Sequence, residues 1–317
     1  MTPDRTRVDA AVRAVLDGVD ADPRYAHTSH LHVRLAGEMV VDEHRHGPLV
    51  GDVFSVTKTV LGLTLGRMAA LGLLPDLDRP VADVLPVLGG TTAEMHTWRH
   101  LRTMTRGAEV DGPWDVDTVT ALPGGQVEHV ARAPQRTPPG ERFCYDNGSS
   151  HLVAAAAGAV LAEPVSDFAA RELFAPLGIT TTRWDRDPDG VPFGYAHLRI
   201  GAADLGRLGQ LVLDGGRTEG ATLVDPGFLA DMTRAHTPGG PPEDLGYGHL
   251  VWVDDDVVMA GGWAGQHVLV LPRAEAVVVV TGDPHFDAGP PPRDDLSPDW
   301  APALHLVRRH LLPVLHG

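Results

Sequence analysis

Residues 54–58 read FSVTK and stand where a loop passes into an apolar stretch that ends at Pro75. Leucine, glycine, methionine and alanine recur at helical spacing over Thr57–Leu74, which predicts a helix there. A residue and the one three positions later share a face of the first helical turn. The Ser55 hydroxyl and the Lys58 amine are therefore predicted to lie within hydrogen-bonding reach.

The composition gives weight to this serine–lysine spacing. The 26 basic residues are 25 arginines and one lysine, Lys58, and the chain has six serines. A serine hydroxyl is a weak nucleophile until a neighbouring base takes its proton, and lysine can be that base when its pKa is lowered. Apolar neighbours and the helix N-terminus both favour a neutral amine at this position. The alternative is a capping serine followed by a solvated lysine.

Two later motifs offer groups that could act with this pair. Tyr145 and Asn147 follow a proline-rich loop. The tyrosine hydroxyl can pass on a proton, and the carboxamide can hold the lysine and a substrate carbonyl; the alternative is a core tyrosine beside a turn asparagine. Residues 261–266, GGWAGQ, enter a predicted strand, where small residues would let a substrate approach backbone N–H groups. The alternative there is a glycine-rich turn in which Trp263 is a packing residue.

Composition limits the class of protein. Of the 317 residues, 43% are hydrophobic and 21% are charged, which allows a substantial core. A formal charge of −16 argues against binding to nucleic acid or to anionic membranes. Cys144 is the single cysteine, which excludes an intramolecular disulfide, and no window resembles a signal peptide or a membrane span. We expect a cytoplasmic protein with a small-molecule partner, and its oligomeric state stays open.

The order of predicted elements indicates an α+β fold. The predicted helices cover residues 4–19, 57–74, 151–161, 166–174 with Ser166 as N-cap, 201–213 and 300–314. The predicted strands cover residues 30–35, 38–44, 247–253, 257–260, 266–271 and 276–281. An antiparallel sheet would then be flanked by the N- and C-terminal helices. Residues 1–80 and 200–317 would form this discontinuous domain and residues 81–199 a mainly helical insertion, with an active-site cleft between them.

Taken together, these motifs resemble the serine β-lactamase and penicillin-binding superfamily on its class C side, closest to family VIII carboxylesterases and related serine amide hydrolases. The resemblance covers about residues 31–281. Further stretches that carry it are residues 139–143 (PGERF), 173–178 (LFAPLG) and 204–210 (DLGRLGQ). It implies the serine β-lactamase-like fold, with the sheet and helical insertion just described.

The same resemblance implies roles for the motif residues. Ser55 would form an acyl-enzyme, with Lys58 and Tyr145 sharing the general-base work and Asn147 orienting the groups. The oxyanion hole would consist of the backbone N–H groups of Ser55 and Gln266. No cofactor and no metal is expected.

The third motif departs from the pattern of true β-lactamases. Those enzymes carry Lys-Thr-Gly, whose lysine helps to bind the substrate carboxylate, whereas this chain has Trp263-Ala264-Gly265. The change resembles the family VIII esterases and related amide hydrolases, and it favours neutral substrates or substrates that are anchored differently. We therefore expect hydrolysis of an ester or amide of a small acyl substrate. The alternatives are acyl transfer in secondary metabolism, a β-lactamase or D-aminopeptidase type of activity, and a non-catalytic binding module.

Three other groups of residues are assigned no chemistry. The pairs His30 with His32 and His44 with His46 lie on the predicted hairpin, and we expect them on a solvated rim rather than around a metal. Residues 254–256, three aspartates, are expected to form a charged turn, because the spacing of a calcium loop is absent. Cys144 is expected to be a small packing residue.

Overall fold

The computed structural model describes residues 4–108, 119–286, 296 and 299–317. The described helices are α1 Arg5–Ala21, α2 Val56–Ala70, α3 Trp98–Arg102, α4 Gln126–Ala131, α5 Asn147–Leu161, α6 Val165–Ala169, α7 Ala202–Leu213, α8 Pro226–Met232, α9 Leu304–Leu306 and α10 Leu312–Leu315. The described strands are β1 Thr28–Leu35, β2 Glu38–His44, β3 Val50–Asp52, β4 Arg183–Trp184, β5 Leu198–Gly201, β6 Arg217–Thr218, β7 Ala221–Thr222, β8 Thr237–Gly240, β9 Leu245–Tyr247, β10 Trp252–Asp254, β11 Val257–Gly262, β12 Gln266–Leu271 and β13 Ala276–Gly282. Two π-helical segments, Ala170–Phe174 and Val307–Leu311, continue α6 and α9.

The first of two compact units contains Met1–Val56, Arg199–Asp214 and Asp256–Gly317. Its strands pair antiparallel in the order β2-β1-β13-β12-β11. Helix α7 lies close to β13. This approach requires a glycine at position 209, because a Cβ on Gly209 would stand 2.5 Å from Val277 Cγ1. The buried face of α1, which repeats valine at helical spacing, packs towards the C-terminal helix at Leu306. This arrangement confirms the α+β fold with an antiparallel sheet and flanking terminal helices.

The second unit contains Thr57–Leu198 and Gly215–Asp255. Helix α5 is buried along its first eleven residues, as its alanine-rich sequence predicts. Helix α2 packs closely at its glycines: a Cβ at Gly62 would meet Met232, and one at Gly66 would meet Val224 and Phe228. The strands β8, β9 and β10 of this unit pair antiparallel with one another.

The division into units differs from the predicted domain boundaries. The sequence assigned residues 57–80 and 215–255 to the sheet domain, whereas the structure groups them with the mainly helical unit. The physical reason lies in the packing of α2, whose glycine face is filled by side chains from residues 224–232.

Several predicted elements need correction. The predicted strand over 247–253 is two strands, β9 and β10, because Gly248 N donates to Val251 O (2.9 Å) and closes a turn between them. Helix α2 ends at Ala70 rather than Leu74, and the C-terminal helix starts at Leu304 rather than at residue 300. Ser166 lies inside α6, whose N-cap is Pro164. The hairpin β1–β2 and the strand β12 are confirmed.

The hairpin histidines were predicted to lie on a solvated rim, which is wrong for two of them. His30 and His32 are buried, because β1 runs between β2 and β13. Both rings approach one carboxylate oxygen of Asp42, at 3.2 Å and 2.9 Å. His44 is exposed, as expected. Cys144 is buried, as expected of a packing residue.

Two smaller findings concern a turn and the helix lengths. Asp255 and Asp256 form the turn between β10 and β11, as the sequence predicts. Within the described part of the chain no single helix is long and apolar enough to cross a membrane. The pair Asn147–Leu161 and Val165–Leu177 reaches that length and apolarity only together, with a bend of 76°. The predicted loop over 284–299 lies largely outside the described residues.

Candidate active site

Ser55 sits in a strained turn immediately before α2. Phe54 has a φ of 46°, a left-handed conformation that is uncommon for a bulky residue and tends to occur at functional sites. The turn is held by Phe54 N, which donates to Asp52 Oδ1 (2.8 Å), and by Val56 N, which donates to Val53 O (3.1 Å). The chain therefore presents Ser55 at a fixed position one residue before the helix begins.

Gly262, at the end of β11, lets the Ser55 turn approach the strand pair. A Cβ on Gly262 would stand 2.6 Å from Val53 O and 3.2 Å from both Ser55 N and Gln266 Cβ. Gly262 and Gln266 are also cross-strand partners. The backbone of Ser55 and the start of β12 thus converge on one small volume in the first unit. The Gln266 side chain is occupied elsewhere, since its amide nitrogen donates to Gly282 O (2.6 Å).

Trp263 and Gly265 form the short turn between these strands. The Trp263 ring meets the Phe54 ring edge to face, with ring centroids 5.1 Å apart, and remains 44% exposed. It therefore presents an apolar face next to Phe54, the residue that precedes Ser55. Gly265 has a φ of 81°, where a side chain would be strained and would meet His27. Gly265 is therefore required by the backbone of the turn.

Lys58 is fully enclosed in the second unit. Its side chain is 1% exposed, and Nζ donates to Asn147 Oδ1 (2.6 Å) and to the carbonyl of Tyr195 (3.1 Å). Nζ also lies 4.8 Å from the centre of the Tyr145 ring. Burial lowers the pKa of Lys58 to about 7, against the opposing attraction of Asp146. A large fraction of Lys58 is therefore a neutral amine at neutral pH.

The turn that carries Tyr145 and Asn147 is built by Asp146. Asp146 is the N-cap of α5, and its carboxylate accepts from Gly148 N (2.9 Å) and Ser149 N (3.0 Å). This cap directs the flanking side chains to Lys58. The Asn147 amide nitrogen is buried and, among the described residues, has no hydrogen-bond partner.

An aromatic wall fixes the Tyr145 ring. The Trp252 ring stacks on it, with centroids 5.2 Å apart and an interplanar angle of 21°. Tyr247 meets both rings nearly perpendicular to their planes. These three residues are buried, so rotation of the Tyr145 ring would require the wall to rearrange.

Within the described residues, one cluster has donor atoms close enough to hold a metal ion. Asp231, His236 and His249 offer ligand atoms within 4.8 Å of one another. His249 Nε2 is already 3.0 Å from Asp231 Oδ2, and His236 Nε2 is 2.9 Å from Asp231 O. Arg234 pairs with the same carboxylate, and the charge of Arg102 contributes to the low pKa of His249, after burial. Because a cation would displace these bonds and face arginine, we assign this cluster no metal.

The structure brings most of the predicted site residues together in two groups. In the second unit Lys58, Tyr145 and Asn147 meet directly. In the first unit Ser55 and Gln266 converge around Gly262, with the Trp263 ring on Phe54 and Gly265 in the turn between the strands. The two groups are joined by the continuous chain from Ser55 to Lys58, where α2 begins.

Sequence reasoning missed two contributors. One is the Tyr195 carbonyl that accepts from Lys58, for which no signal exists, because every residue has a carbonyl. The other is Arg106, which pairs with Asp146 beneath the Tyr145 turn. The neighbours of Arg106, a threonine and a glycine, do not indicate that it is buried. The acidic residue inside the Tyr-x-Asn motif, Asp146, does indicate that a basic partner is needed.

Comparisons with known proteins show the family of the chain. The sequence profile of the Beta-lactamase family matches residues 49–295, so the chain belongs to that family, which is one of serine hydrolases. A comparison with curated proteins finds no match.

Three solved structures with similar folds are named as three different kinds of protein. One is a family VIII carboxylesterase, with a TM-score of 0.70 and 14% identity over 98% of this chain and 99% of the other. The second is EstCE1, a hydrolase with promiscuous acyltransferase activity, with a TM-score of 0.71 and 18% identity over 88% of this chain and 94% of the other. The third is a penicillin-binding protein homologue from Caulobacter crescentus, with a TM-score of 0.69 and 19% identity over 89% and 92%.

Proposed function

We propose that this protein hydrolyses an ester or amide of a small acyl substrate through a covalent intermediate on Ser55. The observation that carries the proposal is the environment of Lys58. A neutral amine has two N–H groups, and Lys58 has two acceptors for them, Asn147 Oδ1 and Tyr195 O. The remaining lone pair can accept a proton. With a pKa of about 7, this amine is suited to act as a base at neutral pH.

In the proposed acylation step, Ser55 Oγ attacks the substrate carbonyl carbon and its proton moves to Lys58 Nζ. The carbonyl oxygen becomes an oxyanion, which the backbone N–H groups of Ser55 and Gln266 stabilise. When the tetrahedral intermediate collapses, the bond to the leaving group breaks. The leaving group takes the proton from Lys58 by way of the Tyr145 hydroxyl, and Ser55 keeps the acyl group as an ester.

Deacylation repeats these steps with water. A water molecule attacks the acyl carbon and gives its proton to the same amine, and Ser55 Oγ leaves and recovers a proton. The Asn147 amide nitrogen supports a further role in binding, because a buried donor without a partner favours a substrate that carries an acceptor. A substrate carbonyl next to the scissile bond would satisfy it.

The apolar third motif supports a neutral substrate. Where a lysine would offer a positive charge, this chain has Trp263, whose exposed ring rests on Phe54 beside the nucleophile. An anionic substrate would find no cation at this position, and an acyl or alcohol group would find an apolar surface. The family VIII carboxylesterase among the similar folds is consistent with an ester substrate, although that likeness alone carries only the fold.

Acyl transfer is a second candidate that one observation favours. The exposed face of Trp263 could hold an alcohol acceptor next to the acyl-enzyme, and then the acceptor would compete with water. Adding alcohols of increasing chain length to the reaction distinguishes the two outcomes. A transferred product that dominates at millimolar alcohol would make transfer the main activity. Unchanged hydrolysis would leave it a side reaction.

The test of the proposed function is the intact mass of the protein after brief exposure to p-nitrophenyl butyrate, and in parallel to a fluorophosphonate. We expect one adduct on the wild type and none on Ser55→Ala. The matched control is Ser166→Ala, because Ser166 lies in α6 and pairs with Arg186 there. An adduct that persists in Ser55→Ala would refute the assignment. A folded wild type with no adduct would favour the non-catalytic binding module.

A further inference from the structure

A buried ion pair lies beneath the turn that carries Tyr145 and Asn147. Arg106 and Asp146 are each 2% exposed, and the Arg106 Nε donates to Asp146 Oδ2. Arg106 Nη1 also donates to Val130 O (3.2 Å), one residue before the end of α4. The guanidinium thus links α4 to the N-terminus of α5. A buried pair of this kind is weak support for stability, because removing two charges from water costs as much as their attraction returns.

The pair has a consequence for the neighbouring base. Asp146 attracts the proton of Lys58 and raises its pKa, against the larger lowering effect of burial. Burial by itself would also raise the pKa of Asp146, but the charge and hydrogen bond of Arg106, together with the hydrogen bonds from Ser149 and Gly148, hold the pKa low. The bonds from Ser149 and Gly148 favour the ionised carboxylate even without Arg106, and Arg106 supplies the opposite charge.

We propose that Arg106 is a positioning residue that takes up the charge of Asp146 so that Lys58 can remain an uncharged base. It also fixes the turn on which Tyr145 and Asn147 are carried. Without Arg106, the buried carboxylate has the Lys58 ammonium as its partner, and a lysine held in that ion pair has no lone pair to offer Ser55. This inference rests on the proposed function for its meaning, but the charge balance can be measured without a substrate.

The other groups around Lys58 leave this balance to the ion pair. The turn before α5 contributes Tyr145 and the uncharged Asn147, and the segment before β5 contributes the Tyr195 carbonyl. On the far side of Arg106 lies His96, whose pKa burial and the arginine lower to about 4, so that it is neutral at pH 7. Asp146 is the charged group whose attraction raises the pKa of Lys58, and Arg106 is the ion-pair partner of Asp146.

The experiment uses the fact that Lys58 is the single lysine of the chain. Lysine labelled with 13C at Cε gives one side-chain signal, and its chemical shift against pH reports the protonation of Lys58. For the wild type we expect a midpoint near 7. For Arg106→Met we expect the midpoint to rise by about one pH unit or more, because the carboxylate is no longer neutralised. For Asp146→Asn we expect it to fall, because the attraction is gone.

Two further variants separate charge from packing. Arg106→Lys keeps the positive charge, so the midpoint should stay close to that of the wild type. The double variant Arg106→Met with Asp146→Asn removes both charges and should return the midpoint towards the wild type, as in a double-mutant cycle. If Arg106→Met does not fold, Asp146→Asn and the double variant still decide the question. The inference is overturned if the midpoint is unchanged in Asp146→Asn, if it does not rise in a folded Arg106→Met, or if the double variant has the same midpoint as Asp146→Asn.

The same titration distinguishes this inference from the proposed function. It requires only folded protein, so it remains valid if no acyl-enzyme forms. Where adducts do form, their rate of formation in Arg106→Met should rise at a higher pH than in the wild type, in parallel with the shifted midpoint of the Lys58 titration. A wild type without adducts refutes the hydrolase. A wild type with adducts and unmoved midpoints refutes only the role of Arg106.

Discussion

Two regions of the second unit hold a buried nitrogen base beside an aspartate and an arginine, and they use these groups in opposite ways. At Lys58 the aspartate is bound by Arg106, and the amine donates to the neutral acceptors Asn147 and Tyr195. At His249 the aspartate is Asp231, which bonds to the imidazole itself at 3.0 Å. The first nitrogen donates to neutral acceptors, whereas the second is bonded directly to a carboxylate.

The difference shows how burial can bring the pKa of one base close to neutral pH and move that of another far below it. Burial lowers the pKa in both cases, of Lys58 to about 7 and of His249 to about 2. The lysine starts from 10.5 and reaches neutral pH, where a base is most effective, whereas the histidine is moved far below it. The His249 region instead supports α2. The carbonyl of Leu250, which follows His249 in the chain, accepts a hydrogen bond from Thr59 Oγ1 (2.9 Å), and Thr59 follows Lys58.

The largest expected effect comes from removing the first base. We expect Lys58→Met to lower kcat/KM by about a thousandfold, because Ser55 then has no neighbouring amine to take its proton. Steady-state hydrolysis of p-nitrophenyl butyrate measures this. The control is Arg67→Met on the same helix, which pairs with Glu172 and should change the rate by less than about twofold. A rate within tenfold of the wild type would mean that another group activates Ser55.

The pH dependence of the wild type follows from the same pKa. Lys58 is active when neutral, so kcat/KM should rise about tenfold per pH unit in acid and level off above a midpoint near 7. The matching control is the 13C titration of Lys58, whose midpoint should agree with the kinetic one. If kcat/KM stays constant from pH 5 to pH 9, the protonation of Lys58 does not control catalysis. Lys58 and His249 would then differ less than we infer.

Lys58→Met should also stabilise the fold. The folded pKa of about 7 lies below the ordinary value of 10.5, so burying the ammonium penalises folding below pH 7. That penalty disappears as pH rises from about 7 to 10.5. We expect the variant to gain about 4 kcal/mol in the free energy of unfolding at pH 6 and little at pH 10.5. Urea unfolding at both pH values measures it, and an equal gain at both would contradict the pKa.

The smallest effect is expected in the second region. Asp231→Asn weakens the acceptor of His249 and should lower the free energy of unfolding by about 1–2 kcal/mol. Turnover should remain within about twofold, because Asp231 touches neither Lys58 nor its acceptors. Asp214→Asn, on the exposed end of α7, is the control for stability. A large loss of turnover without a loss of stability would give the His249 cluster a part in the reaction.

The sequence predicted local spacing better than it predicted the packing. Ser55 and Lys58 were singled out because three residues of separation at the start of a helix put two side chains on one face wherever the helix lies. The contact of Lys58 with Asn147 was suggested by the chemistry of the carboxamide and by the resemblance to a family, but the spacing could not predict it, since 89 residues separate the two. The strand over 247–253 was wrong because residues 248–251 form a turn. The N–H groups of His249 and Leu250 in that turn donate to the carbonyls of Met232 and Arg102, which are distant in the chain, so local propensity does not predict it.

The sequence by itself determined the serine–lysine spacing, the identity of Lys58 as the single lysine, the α+β fold and the missing lysine of the third motif. These are properties of residue identity and of short-range spacing, which survive without knowledge of distant contacts. Only the tertiary structure decided that Lys58 is enclosed, that the Tyr195 carbonyl accepts from it, and that Arg106 neutralises Asp146. Burial and the balance of charges arise from residues far apart in the chain, and a pKa depends on both.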